Sequence, residues 1–285
     1  MLTVLDLINA FKLVRVSCNV QFKFTDVMNY KVRYAESGDE LRHILLVHGL
    51  GGSAESWTYN VDEFAKHFHV FAPDLIGFGH SDKPNIRYAM KIFTNFLSKF
   101  MDAMGLKKAS IVGSSMGGQI AAEFAIKYPD KIEKLVLISP AGIPPKEFKG
   151  TKELKLYVKI FDAKNLDEVR KALLPVDADQ SAITEEYVKA VYQYTMMEGA
   201  KHAFMSSLKG SSLAPRLANR LKSIKAKTLI MWGRDDRLIP VKYCEPFITK
   251  MENCRLLIIE KCGHRPHVEK PDLFNRVVID FLQES

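Results

Sequence analysis

The chain has 285 residues, 47% of them hydrophobic and 26% charged, enough to bury a full core and outside the composition of disordered proteins. Its net charge of +8 comes from 41 basic and 33 acidic residues spread along the chain, with no basic run or nucleic-acid-binding motif, which argues against a nucleic-acid partner. No stretch reaches the roughly 18 uninterrupted apolar residues of a membrane-spanning helix.

Residues 1–16 are fairly apolar but interrupted by Asp6, Lys12 and Arg15, without a signal peptide's basic start or cleavage site. An amphipathic helix packed on the body is expected there, with membrane-surface contact as the alternative. The four cysteines, Cys18, Cys244, Cys254 and Cys262, show no C-x-x-C spacing, so free thiols and a cytoplasmic location are expected, with no metal site. Segments 20–24 and 31–34 read as strands around a turn at 26–29. Apolar, β-branched runs then recur at 43–47, 69–72, 110–112, 134–138, 228–232 and 255–259, mostly separated by helical intervals. Continuous rather than alternating apolar character suits strands covered on both faces, hence a mostly parallel α/β sheet flanked by helices.

The interval 143–221 breaks that rhythm. Candidate helices at 152–161, 166–174, 184–197 and 201–208 make it too long for a simple crossover. It is expected to be a helical cap inserted between sheet strands, with residues 1–142 and 222–285 as the core domain. Residues 146–225 carry 15 basic and 10 acidic side chains, +5 of the +8. Solvated helix faces account for most of this, with mild steering of anionic ligands as the sharper reading.

Gly113-Ser114-Ser115-Met116-Gly117 matches G-x-S-x-G between a strand and a helix, the setting of a nucleophile elbow. A serine there projects from a sharp turn at a helix N-terminus, where dipole and free N–H groups favour a developing anion. Ser115 holds the nucleophile position and Ser114 a neighbouring one. A serine needs a base and a group to orient that base. Asp236, just after the 228–232 strand, and His264, just after 255–259, complete the order serine, acid, histidine. Asp235 competes with Asp236, and its alternative is a surface turn or ion pair. An oxyanion hole needs two backbone N–H donors. Met116, following the nucleophile, supplies one, and Leu50 in His48-Gly49-Leu50-Gly51-Gly52 the other, with His48 bracing the loop. Asp74 to Ser81 reads as a structured glycine turn beneath the site. Nothing in this chemistry calls for a cofactor or a metal.

Together H-G-x-G-G, D-x-x-G-x-G-x-S, G-x-S-M-G-G, W-G-x-x-D-x-x-x-P and G-H, between His48 and His264, resemble the capped α/β-hydrolase superfamily. The closest likeness is to carboxylesterases and to carbon–carbon hydrolases of aromatic ring-cleavage products, the latter also through the tail from Lys225 to Leu282. The resemblance implies an α/β-hydrolase fold and a Ser115–Asp236–His264 triad. The ring-cleavage group has a glycine-rich oxyanion loop, an asparagine before the nucleophile and an aromatic residue after the histidine. This chain has Leu50, Ser114 and Arg265 there. That group also carries a cap arginine for the substrate carboxylate, whereas residues 188–197 offer only Lys189. Epoxide hydrolases and haloalkane dehalogenases of this fold use an aspartate nucleophile, so Ser115 argues against both.

The expected activity is therefore hydrolysis of small-molecule carboxylic esters of short to medium acyl chain, with carbon–carbon hydrolysis of dienoates as the alternative. Arg265 is read as a surface arginine pointing away from the site. Tyr157, Phe161, Tyr192, Tyr194, Met196, Met197 and Phe204 are pocket candidates as a group. Two other classes compete. One is a ligand-binding, receptor-like module with a slow triad. The other is a dinucleotide-binding oxidoreductase, since Gly49 to Ala54 fits G-x-G-x-x-A and Asp74 lies 20 residues beyond Ala54. Oligomeric state is open, homo-oligomers included.

Overall fold

The computed structural model describes residues 20–144 and 150–284. The expected N-terminal helix and Cys18 lie outside these residues, as do residues 145–149 of the expected cap. The first two strands, β1 (Gln21–Val27) and β2 (Tyr30–Ser37), pair antiparallel with Val27 opposite Tyr30. Their turn is tighter than the four residues predicted. Only Met28 and Asn29 connect the strands, with φ of 57° and 64°. Positive φ at both positions matches the twist of a two-residue hairpin, so pairing continues past the expected strand ends.

Six further strands follow: β3 (His43–Val47), β4 (His69–Pro73), β5 (Ala109–Ser114), β6 (Ile132–Ile138), β7 (Lys227–Gly233) and β8 (Cys254–Ile259). The sheet order is β1-β2-β4-β3-β5-β6-β7-β8, and every pairing from β4 to β8 is parallel. Leu45 and Val47 of β3 join one hydrophobic cluster, while Ile44 and Leu46 join the other. In β6 and β7 the same alternation splits Leu135, Leu137, Ile230 and Trp232 from Val136, Ile138, Leu229 and Met231. Both sheet faces are thus buried, which is why these strands read as unbroken apolar runs.

Helices cover the two faces. Val61 and Phe64 of α1 (Val61–Ala65) belong to the second cluster, and α2 (Met90–Ala103) and α3 (Met116–Lys127) bury their apolar sides in the first. Between β6 and β7 the described residues form helices and turns only, with α4 (Lys152–Val158), α5 (Leu166–Leu173), α6 (Glu185–Thr195) and α7 (Ala200–Leu213) as the α-helices. Side chains of Thr151, Asn165 and Thr184 cap the first three of these by accepting from Leu154, Glu168 and Tyr187 N–H groups. Val169, Leu173, Val188 and Phe204 of this insertion join the first cluster, so it packs continuously with the sheet's helical layer. After β7 come α8 (Glu245–Lys250), the short α9 (Pro266–Glu269), and α10 (Pro271–Gln283), which closes the second face with Phe274, Val278 and Phe281.

The chain reverses its direction of strand addition at β3. β4 lies on one side of it and β5 on the other, so the loops leaving β3 and β5 open beside each other. Ligand sites of open α/β sheets form in such a crevice at the strands' C-terminal ends. Close approach there depends on Gly117. A Cβ at Gly117 would lie 2.2 Å from the Val47 carbonyl oxygen and 2.4 Å from that of His48. Both are backbone atoms that cannot rotate away. Gly117→Ala is therefore expected to lower the stability measured by urea unfolding by about 1–3 kcal/mol, the range for overpacking a tight core.

Candidate active site

Ser115 occupies the single-residue turn between β5 and α3, at φ 56° and ψ −117°. That conformation is strained for a non-glycine residue and is held from several sides. The Ser115 N–H donates to the Ile138 carbonyl at 2.8 Å, and its own carbonyl accepts from Gln119 and Ala141. Gly113 has a matching need, because a Cβ there would come within 2.4 Å of the Gly117 carbonyl. Both glycines of the motif are thus required by contact. Met116 opens α3, where the first N–H groups have no intrahelical acceptor.

The loop after β3 runs directly against this turn. A Cβ on Gly49 would sit 3.2 Å from Ser115 Cβ and 3.8 Å from its Oγ. His48 holds the loop as expected. Its Nε2 accepts from the Leu75 N–H at 3.0 Å, so the ring proton is on Nδ1 and donates to the Gly49 carbonyl at 2.8 Å. Complete burial depresses the His48 pKa, which keeps the ring neutral and preserves both bonds.

Asp236 and Asp235 part company in the turn after β7. Asp235 is exposed, while Asp236 is buried, with its carboxylate fully shielded. Asp236 Oδ1 accepts from the N–H groups of Leu238 and Ile239, both at 2.9 Å, and Oδ2 lies 2.7 Å from His264 Nδ1. This engagement of Nδ1 leaves His264 Nε2 as the remaining ring nitrogen. His264 is itself 5% exposed and donates its backbone N–H to the Val176 carbonyl of the insertion. Ser115, Asp236 and His264 all follow the C-terminal ends of strands β5, β7 and β8.

Asp74, which a dinucleotide-binding reading would turn toward a ribose, is fully buried and committed elsewhere. Its carboxylate accepts from Arg33 Nε, the Ala54 N–H and the His80 N–H at 2.7, 2.7 and 2.8 Å. Arg33 also binds Glu55 at 2.6 Å. The segment Asp74 to Ser81 is a glycine turn, as predicted, with Gly77 and Gly79 at φ 93° and 50°. Its function here is to brace the loop beneath the site.

Arg265 and Met196 sit differently from the sequence expectation. Arg265 does not point away from the molecule. Its Nε donates to Asp177 Oδ1 at 2.9 Å, its Nη2 to Asp177 Oδ2, and its guanidinium lies 4.5 Å over the Tyr187 ring. Burial alone would lower its pKa, but Tyr187 and Asp177 outweigh that and hold it above its ordinary value. The two side chains are 11% and 0% exposed, and removing one partner from such a buried pair costs about 3–5 kcal/mol. Lys189 lies on the outer side of α6, 58% exposed and 3.9 Å from Glu185. Met196 is also largely exposed, at 67%.

Of the aromatic pocket candidates, Tyr157, Phe161 and Phe204 form one cluster, with ring centroids 6.0 and 4.6 Å apart. Tyr157 donates its hydroxyl to the Leu50 carbonyl at 2.8 Å, so the insertion touches the predicted oxyanion loop. Tyr192 instead donates to the Lys164 carbonyl, away from that cluster. Sequence reasoning gave Asp177 and Glu269 no role. Glu269 accepts from the backbone N–H groups of Gly263, Ala178, Asp179 and Arg265. It thereby ties the His264 loop to the insertion. Neither residue belongs to a short motif, and their partners are 88 to 91 residues away or in backbone, so no local signal exposes them.

A family profile described as the alpha/beta hydrolase fold matches residues 42–271. The chain belongs to this family. Among curated relatives of the hydrolase, a 2-hydroxy-6-oxo-6-phenylhexa-2,4-dienoate hydrolase from Comamonas testosteroni is 31% identical over 268 residues, covering 91% of this chain and 93% of its own. Among solved structures, a meta-cleavage product hydrolase from Pseudomonas fluorescens IP01 superposes with a TM-score of 0.81 at 25% identity, covering 91% and 96% of the two chains. A protein described as a putative lipase from Acinetobacter baumannii AYE superposes at 0.82 and 26% identity, covering 92% and 91%. The similar proteins thus include dienoate and meta-cleavage product hydrolases and a putative lipase. Among the described residues no cluster of three or more His, Cys, Asp or Glu could hold a metal, and no helix is long and apolar enough to cross a membrane. Cys244, Cys254 and Cys262 are free thiols.

Proposed function

We propose that this hydrolase cleaves neutral carboxylic esters of short to medium acyl chain through an acyl-enzyme on Ser115. His264 Nε2 accepts the proton of Ser115 Oγ as Oγ attacks the carbonyl carbon, and Asp236 stabilises the imidazolium that forms. The carbonyl oxygen becomes an oxyanion held by the N–H groups of Leu50 and Met116. As the intermediate collapses, the proton on His264 goes to the leaving alkoxide, releasing the alcohol. Water, deprotonated by the same imidazole, then releases the acid. The described residues between 143 and 221 act as a cap over this site, with Tyr157, Phe161 and Phe204 as its apolar wall.

The observation that carries the ester reading over carbon–carbon cleavage is the pairing of Arg265 with Asp177. A dienoate brings a carboxylate, and burying it without a fixed cation costs several kcal/mol. Arg265 is already neutralised, and Lys189 is outward and exposed. The 31% identity to a dienoate hydrolase favours the second reading, carbon–carbon hydrolysis by the same triad. Steady-state kinetics on both substrate types decide between them. The expected result is a higher kcat/KM for a short p-nitrophenyl ester than for a ring-cleavage dienoate. A dienoate turned over more efficiently overturns the ester reading. A single burst without further turnover on every substrate would point to a receptor-like module.

A further inference from the structure

Arg265 follows His264 in the chain, yet its charge is cancelled before any ligand arrives. Asp177 meets it with both carboxylate oxygens, a fork-to-fork geometry that matches what a guanidinium offers to a ligand carboxylate. Asp177 is held in place on both sides. The Val176 carbonyl accepts from the His264 N–H at 2.9 Å, and the Ala178 and Asp179 N–H groups donate to Glu269. Glu269 is the next carboxylate, but its oxygens are taken by backbone N–H groups, those of Gly263 included.

The guanidinium also packs against the insertion, through Asp177 and Tyr187. It stacks on Tyr187, 4.5 Å over the ring. The Tyr157 hydroxyl bonds the Leu50 carbonyl, one residue from Gly49, which packs on Ser115. We propose that Asp177 sets the charge preference of the substrate site: by occupying Arg265, it withholds from anionic acyl groups the guanidinium that adjoins His264. Asp177 is then a specificity-determining residue that touches neither nucleophile nor base. This inference rests on the ester-hydrolase reading.

The test compares two esters of equal acyl length, p-nitrophenyl pentanoate and mono-p-nitrophenyl glutarate, whose acyl chain ends in a carboxylate. Asp177→Asn keeps the shape of the side chain but frees the charge of Arg265. The glutarate-to-pentanoate ratio of kcat/KM is expected to rise at least tenfold over wild type, mainly through a lower KM for the glutarate. A folded Asp177→Asn protein whose ratio stays within twofold overturns the proposal. Because that variant leaves a buried guanidinium without its anion, the double variant Asp177→Asn/Arg265→Gln provides a second arm with no unpaired charge. Its ratio is expected to stay within threefold of wild type. A tenfold drop there would mean that Arg265 already serves anionic substrates in the native enzyme, which also overturns the proposal. Failure of the wild-type protein to turn over the pentanoate at all would instead overturn the ester-hydrolase reading on which this inference stands.

Discussion

If Ser115 is the nucleophile as proposed, replacing it with alanine is expected to lower kcat for a p-nitrophenyl ester by about 10⁵–10⁶ while leaving the fold intact, because members of a triad act as a unit. The substitution removes only Oγ. The backbone conformation at φ 56° is held by bonds to Ile138, Gln119 and Ala141 that do not involve the side chain. Circular dichroism and the urea midpoint should therefore match wild type while turnover disappears. A fluorophosphonate probe, which needs the nucleophilic oxygen, should label wild type and not the variant. His264→Ala is expected to cost a comparable factor. Retention of a tenth of wild-type activity by Ser115→Ala would remove this serine from the mechanism.

The parts of this site that were legible in the sequence are those whose chemistry is local. Gly113 and Gly117 are separated by a fixed spacing because each must admit backbone within 2.4 Å. Asp236 could be preferred over Asp235 by its position in the turn after β7. The strands from β3 to β7 announced themselves because two buried faces leave no polar alternation to read. What escaped was long-range. Arg265 looked like a surface residue because its partner, Asp177, lies in the insertion and pairs with it only after the insertion folds over the His264 loop. The hairpin turn was read two residues too long because Asp26 and Val27, though next to turn formers, still find partners in Lys31 and Tyr30.

The two neighbouring aspartates should separate sharply under mutation. Asp236→Asn is expected to lower kcat about 10⁴-fold, the loss given for the equivalent change in the chymotrypsin-type triad. Two effects drive it. An asparagine amide can keep one oxygen for the Leu238 and Ile239 N–H groups, which places its NH₂ toward His264 Nδ1. Nδ1 must then become an acceptor, so the proton moves to Nε2, the nitrogen that in the proposed mechanism receives the Ser115 proton. The imidazolium formed during attack would also lose the Asp236 carboxylate, 2.7 Å from it. Because the buried bonds to Leu238 and Ile239 survive, the fold should too, and the loss should fall on kcat rather than on KM. Asp235 makes no comparable contact through its side chain among the described residues and is exposed; its backbone N–H alone reaches the Cys262 carbonyl. Asp235→Asn keeps that N–H and is expected to stay within about tenfold of wild type, a barrier change of ~1.4 kcal/mol or less. Parallel kcat measurements on the two variants decide the assignment. A larger loss in Asp235→Asn would move the acid's role to Asp235 and leave Asp236 as a turn-stabilising residue.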